Sequence, residues 1–253
     1  MILKDRVAIV TGAGSGIGRG SAEILAREGA YVVVTDLRED LARSVSNHIN
    51  ARGGRSRFAA VDVTDDKRIA DLVAETEREC GRIDILHSHV GIQVEGSLEE
   101  VEPEGMDASW QVNVRAHFIF ARTIVPHMKQ NGGGAIVITS SNSGVLYDPG
   151  MIAYATSKHA VVAMVKQAAI DYARHNIRIN ALCPGWVDTP FNEPFMRQMG
   201  GRDALESHVS KQIPMGRWAK VDEIAEAALF LASDRSSFMT GQALVIDGGE
   251  CLV

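Results

Sequence analysis

Tyr154 and Lys158 stand four residues apart in Tyr154-Ala155-Thr156-Ser157-Lys158, inside a stretch with helical character. That spacing puts a phenol and an ammonium on one helical face, within reach of each other. A phenol ordinarily keeps its proton to about pH 10. A fixed cation beside it favours the phenolate, whereas burial alone raises the pKa, so here the charge must win. The pair is then a candidate proton shuttle to the oxygen of an alcohol or a carbonyl. With 4 Tyr and 7 Lys in 253 residues, chance supplies the spacing about 4 × 7/253, or roughly 0.1 times.

A second constellation lies near the start of the chain. Thr11-Gly12-Ala13-Gly14-Ser15-Gly16-Ile17-Gly18 follows an apolar run and opens a helical pattern. Glycines there let backbone N–H groups approach a pyrophosphate at the positive end of a helix. Tight strand-to-helix packing uses glycine too, so the context matters: the next apolar run ends at Asp36, about the right distance on. A carboxylate in that place can accept hydrogen bonds from an adenosine ribose and repels a 2′-phosphate. It therefore points to NAD rather than NADP, although Arg38 nearby could take a phosphate. As a plain structural residue, Asp36 would be a turn or a helix cap.

The elements that must position these residues alternate. Strand-like runs fall at 6–11, 31–35, 57–61, 83–88, 135–140, 177–182 and 243–247, mostly apolar throughout, as strands covered on both faces are. Helical patterns fall at about 16–28, 39–51, 65–80, 106–129, 153–174 and 221–232. In the last, Val221, Ile224, Ala225, Ala228 and Leu229 keep the i, i+3, i+4, i+7 rule. This alternation predicts one doubly wound α/β domain over 1–253, with a parallel sheet of about seven strands and helices on both faces. Residues 189–215, with Pro190, Pro194, Gly200, Gly201 and Pro214, break the rhythm and are too long for an ordinary connection, which predicts a substrate-covering lid. Phe191, Phe195, Met196 and Met199 would form its apolar underside.

Bulk properties exclude several classes. A net charge of −6 without a lysine-rich block argues against nucleic acid or an anionic membrane as partner. No apolar run approaches the roughly 20 residues a membrane span needs. The start, Met1-Ile2-Leu3-Lys4-Asp5-Arg6, runs straight into a strand and has no secretion signal. Cys80, Cys183 and Cys251 are too dispersed for a disulfide framework or a zinc site and fit a reducing cytoplasm.

Taken together, these residues resemble the short-chain dehydrogenase/reductase family over almost the whole chain, from Val7 to Gly249. Thr11-Gly12-x-x-x-Gly16-x-Gly18 is similar to the family's cofactor loop, Asp62-Val63 to its adenine-contacting pair, and Asn113 to the Asn of its long central helix. Ser141 precedes Tyr154 by 13 residues, the family's spacing for its serine. Pro184-Gly185-Trp186-Val187-Asp188-Thr189 resembles the loop that packs on the nicotinamide, and Asp247-Gly248-Gly249 the end of the last strand.

The resemblance implies a Rossmann-like fold and reversible hydride transfer between a secondary alcohol or ketone and a nicotinamide cofactor. Tyr154 would be the acid–base group. Lys158 would lower its pKa and hold a ribose, Ser141 would bond the substrate oxygen, and Asn113 would hold a water linking Lys158 to solvent. Cofactor contacts would come from Gly12, Ser15, Gly16, Ile17, Gly18, Asp36, Asp62, Val63, Gly91, Tyr154, Lys158, Pro184, Gly185, Val187 and Thr189. A homotetramer built on the two long helices and the last strand is also implied.

One departure stands out. Where the family usually has Asn-Asn-Ala-Gly, this chain reads Ser88-His89-Val90-Gly91. Gly91 keeps backbone access beside the cofactor, and His89 could replace one of the lost hydrogen bonds. His87 and His89 point the same way on a strand but have no adjacent carboxylate, so they are expected to pack or hydrogen-bond, with no metal bound. The substrate face should collect Gln93, Val94, Asn142, Ser143, Tyr147 and Trp186 at the carboxyl ends of the strands. Two rival readings stay open: a non-redox epimerase or dehydratase, and a catalytically silent NAD-binding regulator.

Overall fold

The computed structural model describes residues 1–253. Seven parallel strands form one sheet in the order β3-β2-β1-β4-β5-β6-β7. They are β1 (Val7–Val10), β2 (Tyr31–Asp36), β3 (Arg55–Ala60), β4 (Ile85–Ser88), β5 (Gly134–Thr139), β6 (Ile177–Pro184) and β7 (Ala243–Ile246). The strand order reverses between β1 and β4, which opens a crevice at their carboxyl ends.

Helices cover both faces. On one lie α1 (Gly16–Arg27), α2 (Glu39–Ala51) and α9 (Val221–Ala232); on the other, α3 (Asp66–Cys80), α5 (Ala116–Gln130) and α6 (Ile152–Tyr172). Two apolar cores follow. One sets Ile24, Leu25, Val45, Ile49, Ile224 and Leu229 against Val10, Val32 and Val34 of the sheet. The other sets Ile69, Leu72, Phe120, Ile124, Val161 and Val165 against Ile9, Ile136 and Ile179. Because alternate side chains of a strand feed opposite cores, central strands are mostly apolar, and the polar His87 and Ser88 that end β4 are hydrogen-bonded to Thr139 and His117. β1 and β4 are buried throughout.

Two expectations change in detail. The long helix expected at 106–129 starts earlier, as α4 (Pro103–Trp110), and passes through a π turn at Gln111–Arg115 before α5. Proline fits the first turn of a helix, whose N–H groups have no partner anyway. Residues 189–215 hold two helices, α7 (Glu193–Gln198) and α8 (Arg202–Gln212), broken by Gly200 and Gly201, both at positive φ. Leu205, Val209 and Ile213 bury one stripe of α8 against Trp186, Phe195, Met196 and Trp218. No helix is long and apolar enough to cross a membrane.

Candidate active site

A cavity of about 910 Å³ opens at the carboxyl ends of the strands. Its walls run from the glycine turn and Asp36, past Gly91, Thr139 and Lys158, to Ser141, Tyr154 and the underside of 189–215. The α1 end of the cavity has its helix N-terminus bare. Ser15 makes no side-chain capping bond, and the first turn has no acidic residue. The free N–H groups and the helix dipole together suit a phosphate. Gly16, at φ 51°, turns the chain into that helix. The loop after β6 closes over it, since Thr189 Cγ2 would lie 3.3 Å from a Cβ at Gly16.

Asp36 ends β2 and lines the cavity. One of its oxygens accepts from the Gly14 N–H at 2.9 Å and the other from the Arg38 N–H at 3.0 Å. Each carboxylate oxygen keeps a further acceptor position. Arg38 itself pairs with Asp40 at 2.9 Å.

At the other end, α6 carries Tyr154 and Lys158, 8 % and 3 % exposed, with Lys158 Nζ 5.5 Å from the Tyr154 ring centroid. Burial pushes the Tyr154 phenol up to about 12, against the opposing pull of the Ser141 hydroxyl beside it. Burial also pushes the Lys158 ammonium down to about 8. Among the protein's own groups desolvation sets the direction at Tyr154; the expected lowering counted on the positive nicotinamide as well as on Lys158. Lys158 donates to the Thr139 carbonyl at 3.3 Å and has no carboxylate partner. An ammonium carries three donors, so this buried cation is held short of acceptors on its cavity side.

Ser141 follows β5, lines the cavity, and donates to Asn142 Oδ1 at 3.1 Å. Asn113 sits in the π turn, fully buried and away from the cavity wall. Its Oδ1 accepts from the Ile92 N–H at 2.8 Å, and its Nδ2 donates to the Ile92 carbonyl at 2.9 Å and to Ser157 Oγ at 3.0 Å. Ser157 in turn donates to the Tyr154 carbonyl at 2.7 Å. The side-chain amide thus pins Ile92 to the helix that bears Tyr154.

Most of the other expected residues come together. Gly12, Ser15, Gly16, Ile17, Gly91, Pro184, Gly185, Val187 and Thr189 line the cavity, as do Gln93, Ser143 and Trp186. Three cofactor expectations fall outside its wall. A Cβ at Gly18 would collide with the Gly12 carbonyl, so this glycine serves helix–strand packing. Asp62 spends one oxygen on the Thr64 N–H (2.9 Å) and hydroxyl (2.7 Å), which hold its carboxyl below the usual range. Val63 packs into the core. Tyr147, expected on the substrate face, is 92 % exposed and stacks on His159, and Val94 is also outside the lining. Phe191, Phe195 and Met199 face the cavity from the lid; Met196 packs on α8 instead.

The structure adds polar groups that spacing did not reveal: Glu95, Asp148, His208, Gln212 and Glu250. Glu250 accepts from Asn142 Nδ2 at 2.8 Å, and burial raises its carboxyl above the usual range. Asp148 accepts from Ser143 Oγ at 3.0 Å. No group of three or more His, Cys, Asp or Glu is placed to hold a metal ion. His87 and His89 instead share the Thr139 hydroxyl, at 2.9 and 3.1 Å.

Comparison with known proteins gives relatives over nearly the whole chain. A family model described as enoyl-(acyl carrier protein) reductase matches residues 12–250. The oxidoreductase UcpA of Salmonella typhimurium is 37% identical over 253 residues, covering 99% of this chain and 96% of its own. An NAD-dependent glycerol dehydrogenase of Listeria innocua is 36% identical over 247 residues, covering 98% and 94%. The crystal structure of a gluconate 5-dehydrogenase from Burkholderia cenocepacia, in complex with NADP and tartrate, superimposes with a TM-score of 0.92 at 35% identity, covering 99% of this chain and 97% of that one.

Proposed function

The chain belongs to the short-chain dehydrogenase/reductase family of oxidoreductases, and from that premise we propose that it moves a hydride reversibly between NAD and a secondary alcohol or its ketone, with Tyr154 handling the proton. The observation that carries this reading is one cavity wall shared by the bare α1 N-terminus, Asp36, Lys158, Tyr154 and Ser141. Phosphates would rest on Gly12, Ser15, Gly16 and Ile17. Asp36 would take the adenosine ribose hydroxyls. Pro184, Gly185, Val187 and Thr189 would flank the nicotinamide.

The cofactor supplies the hydride chemistry; the chain supplies geometry and electrostatics. Tyr154 gives its phenolic proton to a ketone oxygen or takes one from an alcohol. Ser141 donates to that same oxygen as charge builds on it. Lys158 offers its spare donors to ribose hydroxyls. Asn113 acts one step back, as a positioning residue that ties segment 91–93 to α6.

NAD is favoured by Asp36, whose charge repels a 2′-phosphate, and by the pairing of Arg38 with Asp40. The gluconate 5-dehydrogenase with NADP keeps the other cofactor in play as a test arm. At the substrate end, Glu95, Asp148 and Glu250 face the cavity, and no arginine lines it to clamp a carboxylate. That field favours a neutral hydroxylated substrate over a sugar acid. Exposed Phe118, Ile170 and Phe238, on α5, on α6 and before β7, support a homotetramer. Three unpaired cysteines support a cytoplasmic setting.

Absorbance at 340 nm, followed over a panel of neutral polyols, sugar acids and simple secondary alcohols with NAD or NADP, tests this. Turnover with NAD and a higher kcat/KM for neutral substrates is expected. A higher kcat/KM with NADP would overturn the cofactor preference. No absorbance change with any pair would favour the silent regulator, and product formed without net cofactor turnover would favour epimerase or dehydratase chemistry. Light scattering should give about 109 kDa, four times the 27.3 kDa chain, and a value near one chain would end the tetramer proposal.

A further inference from the structure

His89 stands where the resembling family has an asparagine, and it lines the cavity between the glycine turn and Lys158. Its backbone N–H donates to Thr11 Oγ1 at 2.9 Å, which fixes the residue under the turn. The ring edge lies against that turn: Cδ2 would be 3.7 Å from a Cβ at Gly12 and 2.9 Å from one at Gly18. Burial keeps both nearby rings neutral, His87 down to about 4 and His89 well below the ordinary imidazole value, with His87, Lys158 and His117 adding repulsion at His89.

Two neutral imidazoles therefore compete for one hydroxyl. Thr139 Oγ1 lies 2.9 Å from His87 Nε2 and 3.1 Å from His89 Nδ1, with no other hydrogen-bond partner. The hydroxyl has one proton to give. If both rings donated to it, that proton would have no acceptor; both rings cannot accept it. One ring must donate and the other accept. If His89 donated from Nδ1, His87 would accept at Nε2 and carry its proton on Nδ1, which is buried with no partner. An orphaned buried N–H is rarer than an acceptor short of a partner. The network thus assigns the order His87 Nε2–H to Thr139 Oγ1–H to His89 Nδ1, a tautomer fixed by counting protons. The proton of His89 is left on Nε2. That atom has no partner in the protein and, unlike His87 Nδ1 and His117 Nε2, is not sealed from solvent, so it opens on the cavity that His89 lines.

We propose that His89 Nε2–H is a cofactor-binding donor, directed at an oxygen acceptor in the half of the dinucleotide that AMP lacks, the second phosphate or the nicotinamide ribose, on the Lys158 side of the glycine turn. The inference rests on the proposed nicotinamide-dependent function and adds to it a contact particular to this chain. Thr139 and His87 are its positioning residues, since they hold the proton on the nitrogen that faces the ligand.

The test is binding, not turnover. Dissociation constants for NAD+, for ADP-ribose (both phosphates and both riboses, no nicotinamide) and for AMP are measured by calorimetry on the wild type, His89→Leu and His89→Asn. Loss of one hydrogen bond to a charged or polyhydroxyl ligand predicts about tenfold weaker NAD+ and ADP-ribose binding in His89→Leu. AMP should stay within about twofold, and His89→Asn, which retains an N–H donor, should recover most of the loss. Unchanged ADP-ribose binding in folded His89→Leu overturns the contact while leaving the proposed function standing. So does an equal loss for AMP and ADP-ribose, which would report general distortion. A wild type that binds none of the three removes the proposed function and the contact with it. Independently of any variant, a long-range 1H–15N spectrum of histidine-labelled wild type should show His89 as the Nε2–H tautomer; the Nδ1–H tautomer would overturn the assignment.

Discussion

Two buried charges, Asp84 and Lys158, lie at opposite ends of the same sheet and are treated in opposite ways. Asp84, 2 % exposed, opens β4 at the amino edge, and its oxygens are saturated. They take the Val7 N–H at 2.8 Å, Arg6 at 3.1 Å and Arg82 at 2.9 Å. Lys158, 3 % exposed, lies at the carboxyl edge with one carbonyl at 3.3 Å and no counter-charge. A buried charge is tolerated when paired and hydrogen-bonded, and is costly otherwise. The saturated carboxylate belongs to the fold. The under-satisfied ammonium makes sense only if something with oxygen acceptors enters beside it.

Substitution can break that contrast. Lys158→Met should lose at least about 10²-fold in kcat/KM while its melting temperature holds or rises, because the change relieves a buried charge. A drop in melting temperature with activity kept would reverse the roles assigned to the two ends. Asp84→Ala should do the opposite, destabilising the fold by about 2–3 kcal/mol through the unpaired Val7 N–H and the lost charged hydrogen bonds. Its folded fraction, measured by denaturant titration and assayed at low temperature, should turn over normally. Asp36→Ser should raise the NADP-to-NAD ratio of kcat/KM about tenfold; an unchanged ratio would remove Asp36 from cofactor selection.

The smallest effect is one of pH. Lys158 is pushed down from 10.5 to about 8 by burial, so between those values the unfolded chain holds more protons at this site than the folded one. The sign follows: this group's contribution to stability rises with pH across that window. NAD+ affinity should fall over the same window as the folded lysine loses its charge. Melting curves and binding isotherms from pH 7 to 10, wild type against Lys158→Met, check both. Parallel pH dependences in the two proteins would contradict the assignment.

The same contrast sets what the sequence could convey. Strands such as Val7–Val10 and Gly134–Thr139 were legible because burial on both faces demands apolar runs. Tyr154, Lys158, Gly12 and Asp36 were legible because their chemistry is bound to local spacing. The work of Asn113 was not, since its amide partners, Ile92 and Ser157, lie 21 and 44 residues away. Nor was the balance at Tyr154, because burial is a property of the assembled fold. The stripe of Leu205, Val209 and Ile213 did keep a four-residue period inside the lid, and it was hidden only by the Gly and Pro breakers around it. Glu250 enters the cavity wall from beyond the last strand, where no local pattern points to a site.

The proposed chemistry needs the Tyr154 hydroxyl to exchange the proton when the hydride moves. Steady-state turnover of Tyr154→Phe with NAD, on whichever alcohol the wild type oxidises best, tests it directly. The dissociation constant for NAD+ is measured alongside to show that the site still fills. A loss of about 10²–10⁴-fold in kcat with NAD+ affinity within a few-fold of wild type is the expected result. Turnover within tenfold of wild type at saturating NAD would exclude Tyr154 as the acid–base group.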